Sequence, residues 1–355
     1  GAGTPSTPGH LDLPPVADLP VPAYGDGSWR LGVPSVLDLL DVVTGSGARV
    51  VHAATPGPMG LAGLVVARTL GLPFVATHHT ELARYVLELT GDRLAAGIAD
   101  RSVRWFHGQA ERVYAPTLTT TQGLVRAGVD PERVVLFTRG VDVEAFSPER
   151  AGRSMRRRLG GREDVTVVLY VGRLSREKGV LRLAEAFRRA AALRPGLRLA
   201  VVGDGPARGE LGRALAGTPH RFLGALRGAE LAAAYASADL FCLPSATETF
   251  GQVVVEAGAS GLPVVVADRG GAAELVAHGR SGLVVDADDA GALAAALALL
   301  HDDPSLRARL GATGRRMAAA RPSWDEVFDE LLAGYPSLLA GPAAGAPARR
   351  GRATA

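Results

Sequence analysis

Short apolar runs alternate with helix-patterned segments along most of this chain, and that alternation limits the folds it can adopt. Strands are predicted at 48–55, 73–79, 117–121, 133–137, 165–171, 197–202, 221–223, 240–243, 264–267 and 282–285. Helices are predicted at 59–70, 94–114, 179–193, 206–215, 230–237, 250–259, 272–277, 288–300, 304–319 and 324–332. Such alternation is typical of parallel sheets with helices on both faces, so the sequence predicts an α/β protein.

The alternation is interrupted once, at residues 138–148, and then begins again. We therefore predict two doubly wound, Rossmann-like domains, each with its ligand site outside the carboxyl ends of its strands. The predicted division is an N-terminal domain at 1–145, in which 1–35 is mostly loop, a C-terminal domain at 146–322, a terminal helix at 323–338 and a tail at 339–355.

Length and composition agree with two globular domains. The chain has 355 residues, of which 47% are hydrophobic and only 5% aromatic, so its cores are built mainly from Ala, Val and Leu. No run approaches the roughly 18 uncharged apolar residues of a membrane-spanning helix. The single cysteine, Cys242, falls in a predicted buried strand, where it packs rather than pairs, as in a reducing cytoplasm.

Basic residues are clustered although the net charge is only +3. The pI is about 9.3, and arginine runs occur at 153–158 and 349–352. Each run can meet anionic lipid, phosphate or nucleic acid, but each taken alone is more typical of a solvated surface. We expect no nucleic-acid partner.

One strand–loop–helix segment, 238–259, concentrates residues suited to a nucleotide. Glu248 lies in the predicted loop, Gly251 opens the helix, and Glu256 follows two turns into it. Free backbone N–H groups at a helix start attract phosphate, and the small residue lets a ligand approach them. Two carboxylates beside such a backbone can bind the hydroxyls of a sugar and a ribose. The alternative is a solvated glutamate followed by an ordinary amphipathic helix.

Two further strand ends carry matching chemistry. Arg173 and Lys178 follow the strand at 165–171 and precede a helix, and two fixed cations beside a helix start stabilise a diphosphate as its charge grows. Gly270, Gly271 and Glu274 follow the strand at 264–267. By contrast, Asp286-Ala-Asp288 precedes a predicted helix, and we expect it to cap that helix rather than bind a metal.

Together these motifs resemble the donor domain of the retaining glycosyltransferases of family 4, which have the GT-B fold. The resemblance rests on Arg173 with Lys178, on the block Glu248-Thr-Phe-Gly-Gln-Val-Val-Val-Glu256 and on Gly270-Gly-Ala-Ala-Glu274. The segment Thr138-Arg-Gly-Val-Asp-Val-Glu-Ala-Phe146 is similar to the family's interdomain segment, and the resemblance covers residues 48–338. It implies an acceptor-side first domain and a donor-binding second domain across a cleft, with the terminal helix packed back across both.

The resemblance also implies roles for single residues. Arg173 and Lys178 would bind the diphosphate, and Glu256 the ribose hydroxyls. Glu248, with the backbone of Phe250 and Gly251, would bind the transferred sugar. The segment from Leu223 to Leu226 would border the base. His79, at the end of a first-domain strand, would face the sugar as a catalytic residue together with Glu248, with His78 as the competing choice. No metal or other cofactor is expected.

Within the family, two segments are most similar to bacterial enzymes that transfer mannose, or a sulfonated glucose, to lipid-linked acceptors. These are Val51-His-Ala-Ala-Thr-Pro-Gly-Pro58 and Thr77-His-His-Thr-Glu81. They imply a hexosyltransferase, with mannose the expected sugar, a GDP- or UDP-linked donor and a lipid or glycan acceptor. We expect the protein in the cytoplasm, with peripheral contact to the anionic inner face of the membrane.

In one respect the sequence departs from the family, because its first domain is predicted to lack an opening strand–helix–strand unit and starts in a segment rich in Pro and Gly. One alternative is therefore a nucleotide-sugar-binding protein without turnover. Another is a dinucleotide-dependent dehydrogenase, which requires Gly-x-Gly-x-x-Gly. The nearest segment, Gly203 to Gly209, has one residue too many before its last glycine.

Overall fold

The computed structural model describes residues 11–20, 30–79, 81–160, 162 and 165–339, and these form two lobes, each with its own parallel sheet. The first lobe contains β3 (Val51–Ala53), β4 (Phe74–Thr77), β5 (Arg112–Ala115) and β6 (Val134–Leu136), in that order across the sheet. Its helices are α1 (Val36–Gly45), α2 (Pro58–Leu70), α3 (Leu82–Thr90), α4 (Arg93–Gly108) and α5 (Leu118–Arg126). An antiparallel hairpin of β1 (Ala17–Pro20) and β2 (Arg30–Val33) precedes them.

The second lobe is a six-stranded parallel sheet with the order β12-β11-β10-β7-β8-β9. The strands are β7 (Thr166–Val171), β8 (Leu197–Val202), β9 (His220–Gly224), β10 (Leu240–Leu243), β11 (Val264–Ala267) and β12 (Gly282–Val285). The helices are α6 (Arg153–Arg158), α7 (Val180–Leu193), α8 (Arg208–Ala214), α9 (Gly228–Ala236), α10 (Gln252–Ala259), α11 (Ala290–Asp302) and α12 (Pro304–Ala319). Every residue of β7, β10 and β11 is buried, which is why these strands read as continuous apolar runs.

A terminal helix, α13 (Trp324–Leu339), returns from the second lobe to the first. Arg112 Nη1 at the start of β5 donates to the Gly334 carbonyl at 2.9 Å, and His52 Nδ1 on β3 lies 2.6 Å from the Tyr335 hydroxyl. The helix therefore connects the lobes a second time. None of the helices in the described ranges is long and apolar enough to span a bilayer.

The segment between the lobes is held by arginines of the second lobe. Arg315 Nη1 donates to the carbonyls of Val143, Phe146 and Ala259 at 3.0, 3.0 and 2.7 Å. Arg321 Nη2 donates to Thr138 Oγ1 at 2.5 Å and to the Arg139 carbonyl at 3.3 Å. Because these bonds hold the carbonyls of Arg139, Val143 and Phe146, the linker has a defined path past the end of α12.

Two local predictions for the first lobe are wrong, and two helices were not predicted. Residues 117–121 are the start of α5 and not a strand, because Thr117 caps the helix and forms a capping box with Thr120. The strand is β5, which lies inside the region predicted as helix up to residue 114, since α4 ends at Gly108. Within segment 1–35, expected to be mostly loop, the described residues 11–20 and 30–35 include the hairpin strands, and α1 and α3 lie where no element was predicted. The tail from residue 340 and its arginine run lie outside the described residues.

Candidate functional site

The ligand crevice of the second lobe is set by its strand order. The chain winds outward in both directions from the adjacent strands β7 and β10, so the topological switch point lies between them. Open α/β sheets bind ligands at the carboxyl ends of the strands beside such a point. β7 continues into Gly172 and Arg173, and β10 continues into the loop that carries Glu248. The predicted donor residues therefore meet at the edge where the topology places a ligand.

A close backbone contact holds the loop that follows β7. Gly203, after β8, has a φ of +129°, and a Cβ there would lie 1.9 Å from the Gly172 carbonyl oxygen. Leu174 N also donates to the Asp204 carbonyl at 2.9 Å. Only glycine fits at position 203. Because it has no side chain, the loop after β8 can pack against the loop after β7, which carries Arg173.

Arg173 is held from both lobes. Its Nη2 donates to Glu177 Oε1 at 3.0 Å, and Glu177, whose side chain is fully buried, also accepts a short hydrogen bond from Ser175. On its other side the Arg173 guanidinium lies 5.4 Å from the ring centroid of Tyr85, on α3 of the first lobe. An arginine fixed in this way has its planar guanidinium held in a defined orientation.

Lys178 and Glu248 form an ion pair across the crevice. Lys178 Nζ lies 2.6 Å from Glu248 Oε2, and the side chains are 22% and 19% exposed. The loop carrying Glu248 is tied to the next one, since Gly271 N donates to the Glu248 carbonyl at 2.6 Å. A Cβ at Gly271 would lie 2.1 Å from the Thr249 carbonyl oxygen, so glycine is required for this close packing.

Glu256 lies on α10 with one carboxylate oxygen already engaged. Its Oε2 accepts a hydrogen bond of 3.0 Å from the Tyr235 hydroxyl on α9. Burial raises the pKa of Glu256 to about 7, although the Tyr235 hydrogen bond favours the ionised form. Glu256 is therefore oriented by Tyr235 and is close to its titration midpoint at neutral pH.

Histidine 79 extends from the end of β4 toward the second lobe. Its carbonyl accepts from Thr249 Oγ1 at 2.8 Å, and Arg139 Nη2 lies 2.8 Å from its Nδ1. Burial, followed by the charges of Arg139, His78 and His52, lowers the pKa of His79 to about 4. The imidazole is therefore neutral at physiological pH.

The competing residue, His78, has a different environment. Its side chain is buried, its Nε2 lies 3.3 Å from Glu81 Oε1, and its ring is 5.2 Å from that of His107. These partners all belong to the first lobe. Of the two histidines, His79 is the one whose described contacts reach the interdomain segment and the second lobe.

Phe250 and Gly251 form the start of α10. The Phe250 ring is buried between two guanidinium groups, with Arg139 Cζ and Arg321 Cζ at 5.6 and 5.2 Å from its centroid. Gly251 has a φ of +101°, which favours glycine, and it precedes the first helical residue. The ring is thus a structural platform, while the backbone of the two residues leads into the helix N-terminus.

Three other residues singled out from the sequence are placed differently from the rest. The Leu226 side chain is buried in the main hydrophobic core of the second lobe, so only its backbone is suited to border a base. The expectation that Asp286 or Asp288 caps the next helix is wrong. Asp289 is the N-cap of α11, accepting from Gly291 N at 2.7 Å and Ala292 N at 3.0 Å, and Asp288 forms an ion pair with Arg269.

Glu274 joins the lobes at the edge of this site. Its two carboxylate oxygens accept from the backbone N–H groups of Leu118 and Thr119, at 2.9 and 2.5 Å. A carboxylate there complements the positive end of the α5 dipole. Thr117 Oγ1, which precedes α5, donates to the Thr249 carbonyl at 3.2 Å. The loops carrying Glu248 and Glu274 are therefore in contact with the first lobe.

Sequence reasoning missed three residues that hold the predicted ones in place, namely Arg139, Glu177 and Tyr235. Arg139 belongs to the interdomain segment already noted for its resemblance, and Glu177 lies between Arg173 and Lys178. Their positions could therefore have been suspected. Nothing in the sequence distinguishes Tyr235, which reaches Glu256 only because α9 and α10 are packed together.

Family models match both lobes of the chain. The model for family 4 glycosyltransferases matches residues 3–145, and the model for group 1 glycosyl transferases matches residues 153–317. The junction between the two matches coincides with the interdomain segment at 138–148, where the sequence alternation is interrupted.

Two relatives show the extent of the similarity. A GDP-mannose-dependent alpha-mannosyltransferase of Mycolicibacterium smegmatis is 40% identical over 313 residues, which is 88% of this chain and 79% of the relative. Sulfoquinovosyl transferase SQD2 of Arabidopsis thaliana is 33% identical over 271 residues, covering 75% of this chain and 52% of the relative.

Solved structures agree on the fold. A sucrose-phosphate synthase of Thermosynechococcus elongatus superimposes with a TM-score of 0.74 at 24% identity, covering 86% of this chain and 78% of that one. Anabaena HepE, solved with UDP-glucose, gives a TM-score of 0.71 at 23% identity over 86% and 82% of the two chains. The chain therefore belongs to glycosyltransferase family 4, has the GT-B fold and is a hexosyltransferase.

Proposed function

We propose that this enzyme transfers mannose from a nucleoside-diphosphate sugar to a hydroxyl acceptor, with retention of the anomeric configuration. The observation that carries the proposal is the Lys178–Glu248 ion pair at the switch point between β7 and β10, with Arg173 in the loop after β7 and Glu256 on α10, which follows the loop of β10. The sugar and the guanine base of the donor follow from relatives named as GDP-mannose-dependent. The alternative donor is UDP-linked, because HepE, a structural neighbour, was solved with UDP-glucose.

In the proposed complex, two cations and a helix N-terminus neutralise the diphosphate. Arg173 and Lys178 contact its oxygens, and the backbone at Phe250–Gly251 presents N–H groups to the phosphate or the adjoining sugar. Glu256 accepts hydrogen bonds from the ribose hydroxyls through the oxygen that Tyr235 leaves free, and the backbone near Leu226 borders the base. This charge allows the diphosphate to leave without a metal ion, so we propose a metal-independent reaction.

Across the crevice, Glu248 and His79 contact the transferred sugar. During transfer the bond from the anomeric carbon to the diphosphate oxygen breaks, a bond to the acceptor oxygen forms, and the proton of that hydroxyl passes to the departing diphosphate. The Thr249–His79 hydrogen bond supports this arrangement, because it joins the loop of Glu248 to the strand end of His79. The two groups are thereby held at the same end of the crevice, one from each lobe.

An exposed surface of the first lobe supports a lipid acceptor. Trp105 and Ile98 on α4 are 55% and 58% exposed, and with Leu61 of α2 they line one shallow groove that also contains Arg101. Met59, Val65 and Leu94, on the same two helices, also have exposed side chains, and Arg93 precedes Leu94 and is exposed as well. Apolar side chains flanked by arginines are typical of proteins that lie on anionic bilayers. We therefore propose peripheral contact at the inner, cytoplasmic face of the membrane.

The test is a transfer assay with the full chain, GDP-mannose, UDP-glucose and a panel of lipid and water-soluble acceptors. We expect an α-mannoside from GDP-mannose, with its configuration determined by NMR. The Glu248→Gln protein serves as the control for background hydrolysis. Nucleotide binding without transfer from any donor would contradict the proposed turnover, and a β-linked product would contradict retention.

A further inference from the structure

Arg139 lies between the two lobes with its guanidinium directed at a predicted catalytic residue. Its Nη2 is 2.8 Å from His79 Nδ1, and its Cζ is 5.6 Å from the centroid of the Phe250 ring. The backbone beside it is fixed as well, because Arg321 donates to the Arg139 carbonyl and Gln252 Nε2 donates to the Gly140 carbonyl at 2.9 Å. The guanidinium is therefore held in one place by the second lobe.

This contact determines which ring nitrogen of His79 carries the proton. A guanidinium has five N–H donors, no acceptor, and is always protonated in proteins, so Arg139 must be the donor. His79 Nδ1 must then be the acceptor, and a neutral imidazole with a bare Nδ1 carries its hydrogen on Nε2. Within the described part of the chain, Nε2 has no hydrogen-bond partner, so its N–H is left for a ligand.

We propose that Arg139 is a positioning residue that fixes His79 in the Nε2–H tautomer, so that His79 offers the crevice a hydrogen-bond donor and not a base. The inference about the tautomer stands on the contact alone. Its consequence for the reaction rests on the proposed function, in which His79 faces the transferred sugar. There the Nε2–H would donate to a sugar oxygen, and proton abstraction from the acceptor would have to occur elsewhere.

The charges around His79 favour the neutral form of its imidazole. Arg139, His78 and His52 are the charged and titratable groups that act on it, and each would repel a second proton on the ring. Burial acts in the same direction and is the larger effect, so the pKa of His79 falls to about 4. Burial lowers the pKa of Arg139, and the charge of Glu248 acts in the opposite direction by stabilising the protonated guanidinium. An imidazolium at this position would thus face a fixed cation.

Nitrogen NMR tests the tautomer without reference to activity. In the full chain labelled with ¹⁵N-histidine, long-range ¹⁵N–¹H correlations separate the two tautomers, and the His79→Asn variant identifies the His79 signals. We expect a protonated Nε2 and a bare Nδ1 at pH 7.5, with no titration of His79 above pH 6. A protonated Nδ1, or a titration between pH 6 and 7, would overturn the proposal.

Variants at position 139 test the role of the arginine. Arg139→Ala removes both the donor and the charge, so the two tautomers should interconvert and the pKa of His79 should rise. Arg139→Lys retains a donor and should restore the Nε2–H signature. Arg153→Ala, an exposed arginine on α6, is the matched control and should leave the His79 signals unchanged. An unchanged tautomer in Arg139→Ala would count against positioning by Arg139.

Kinetics then separate positioning from the proposed function. In Arg139→Ala we expect kcat to fall about tenfold, the worth of one well-placed hydrogen bond, while the Kd for GDP changes less than twofold. Arg139→Lys should recover most of the loss. If NMR shows the expected tautomer but His79→Asn retains full kcat, the proposed contact of His79 with the sugar is wrong and the tautomer assignment stands.

Discussion

Lys178 and Glu248 are joined by an ion pair of 2.6 Å between Nζ and Oε2, although the proposed reaction requires both side chains for different parts of the donor. The lysine would bind the diphosphate and the glutamate the sugar. A diphosphate entering the crevice must therefore compete with Glu248 for the ammonium group. The ion pair therefore links binding of the diphosphate at Lys178 to the position of Glu248, the residue that would bind the sugar.

Substitutions of Lys178 and of Glu248 should consequently have different effects on the affinity for GDP. Lys178→Ala removes a charge-assisted hydrogen bond worth about 1.5–3 kcal/mol, so GDP should bind about 10- to 150-fold more weakly. Glu248→Gln removes the competing negative charge, so GDP should bind as tightly as to the wild type or more tightly, while kcat falls. Calorimetry gives the affinities, and steady-state kinetics gives kcat. Weaker GDP binding in Glu248→Gln would contradict the assignment of these two roles.

Glu256→Ala should weaken nucleotide binding more than it slows the chemical step. The carboxylate accepts from the ribose in ground state and transition state alike, so its loss removes about 1.5–3 kcal/mol per charge-assisted bond before water compensates. Calorimetry with GDP measures the change. Tyr235→Phe, which removes only the hydroxyl that orients Glu256, should produce a smaller loss of the same kind. Unaltered affinity in Glu256→Ala would exclude the ribose contact.

The raised pKa of Glu256 makes the affinity for the donor depend on pH. Burial raises this pKa to about 7, and ribose hydroxyls donate to the ionised form, so binding should weaken as the pH falls through 7. Between pH 8 and pH 6 the ionised fraction falls about tenfold, which sets the largest expected loss. GDP-mannose, whose diphosphate has no terminal group that titrates in this range, is the suitable ligand. Glu256→Gln should remove the dependence, and an equal pH effect in that variant would assign it to another group.

The second lobe was predicted more completely from the sequence than the first. Its strands are fully buried and apolar, so runs such as Leu240–Leu243 stand out against polar loops. In the first lobe, β5 has four residues and follows directly on the long helix α4, and the threonines at 117–121 favour a strand by composition. Their side chains form a capping box at the start of a helix instead, between Thr117 and Thr120.

At the site, residue types were predictable from chemistry but their partners were not. Arg173, Lys178, Glu248 and Glu256 were expected to lie together because they follow neighbouring strand ends. The sequence gives no indication that Glu256 is held by Tyr235, a contact between residues 21 positions apart on two packed helices. Such pairings arise from the packing of helices, which no local pattern specifies.

The close contact between Gly203 and the Gly172 carbonyl predicts that alanine substitutions at two glycines with positive φ will affect GDP binding differently. Gly203→Ala would place a Cβ 1.9 Å from the Gly172 carbonyl oxygen, whereas a Cβ at Gly217, with a φ of +78°, meets nothing within 4 Å. Both variants pay roughly 1–2 kcal/mol for a left-handed conformation. Only Gly203→Ala must also displace the loop of Arg173, so it alone should weaken GDP binding. Thermal unfolding and calorimetry compare the pair, and equal nucleotide affinities would contradict the proposed role of this contact.

Activity should not require a divalent metal. Arg173 and Lys178 together supply two positive charges at the proposed diphosphate site, the function that a metal ion performs in other transferases. We expect the initial rate to be the same in excess chelator and in added magnesium or manganese, after prior dialysis against chelator. Complete loss of activity in chelator, reversed by either metal, would refute the proposal. In Lys178→Ala a partial stimulation by magnesium is expected, because the ion can replace the missing charge.

Membrane contact, finally, should depend on the exposed side chains of α4. Burying Trp105 and Ile98 in the interface of a bilayer gains roughly 1.5–3 kcal/mol for each large apolar side chain, and arginines beside them add about 1 kcal/mol each at an anionic surface. The wild type should therefore co-sediment with vesicles that contain anionic lipid, more strongly at low salt than at high salt. Ile98→Ser with Trp105→Ser should abolish most of this binding without changing GDP affinity. Leu193→Ser, at a leucine of the second lobe that is 75% exposed, is the matched control and should bind vesicles normally. If the wild type binds neither anionic nor neutral vesicles and transfers mannose to a water-soluble acceptor, the lipid acceptor is wrong and the glycosyltransferase activity stands.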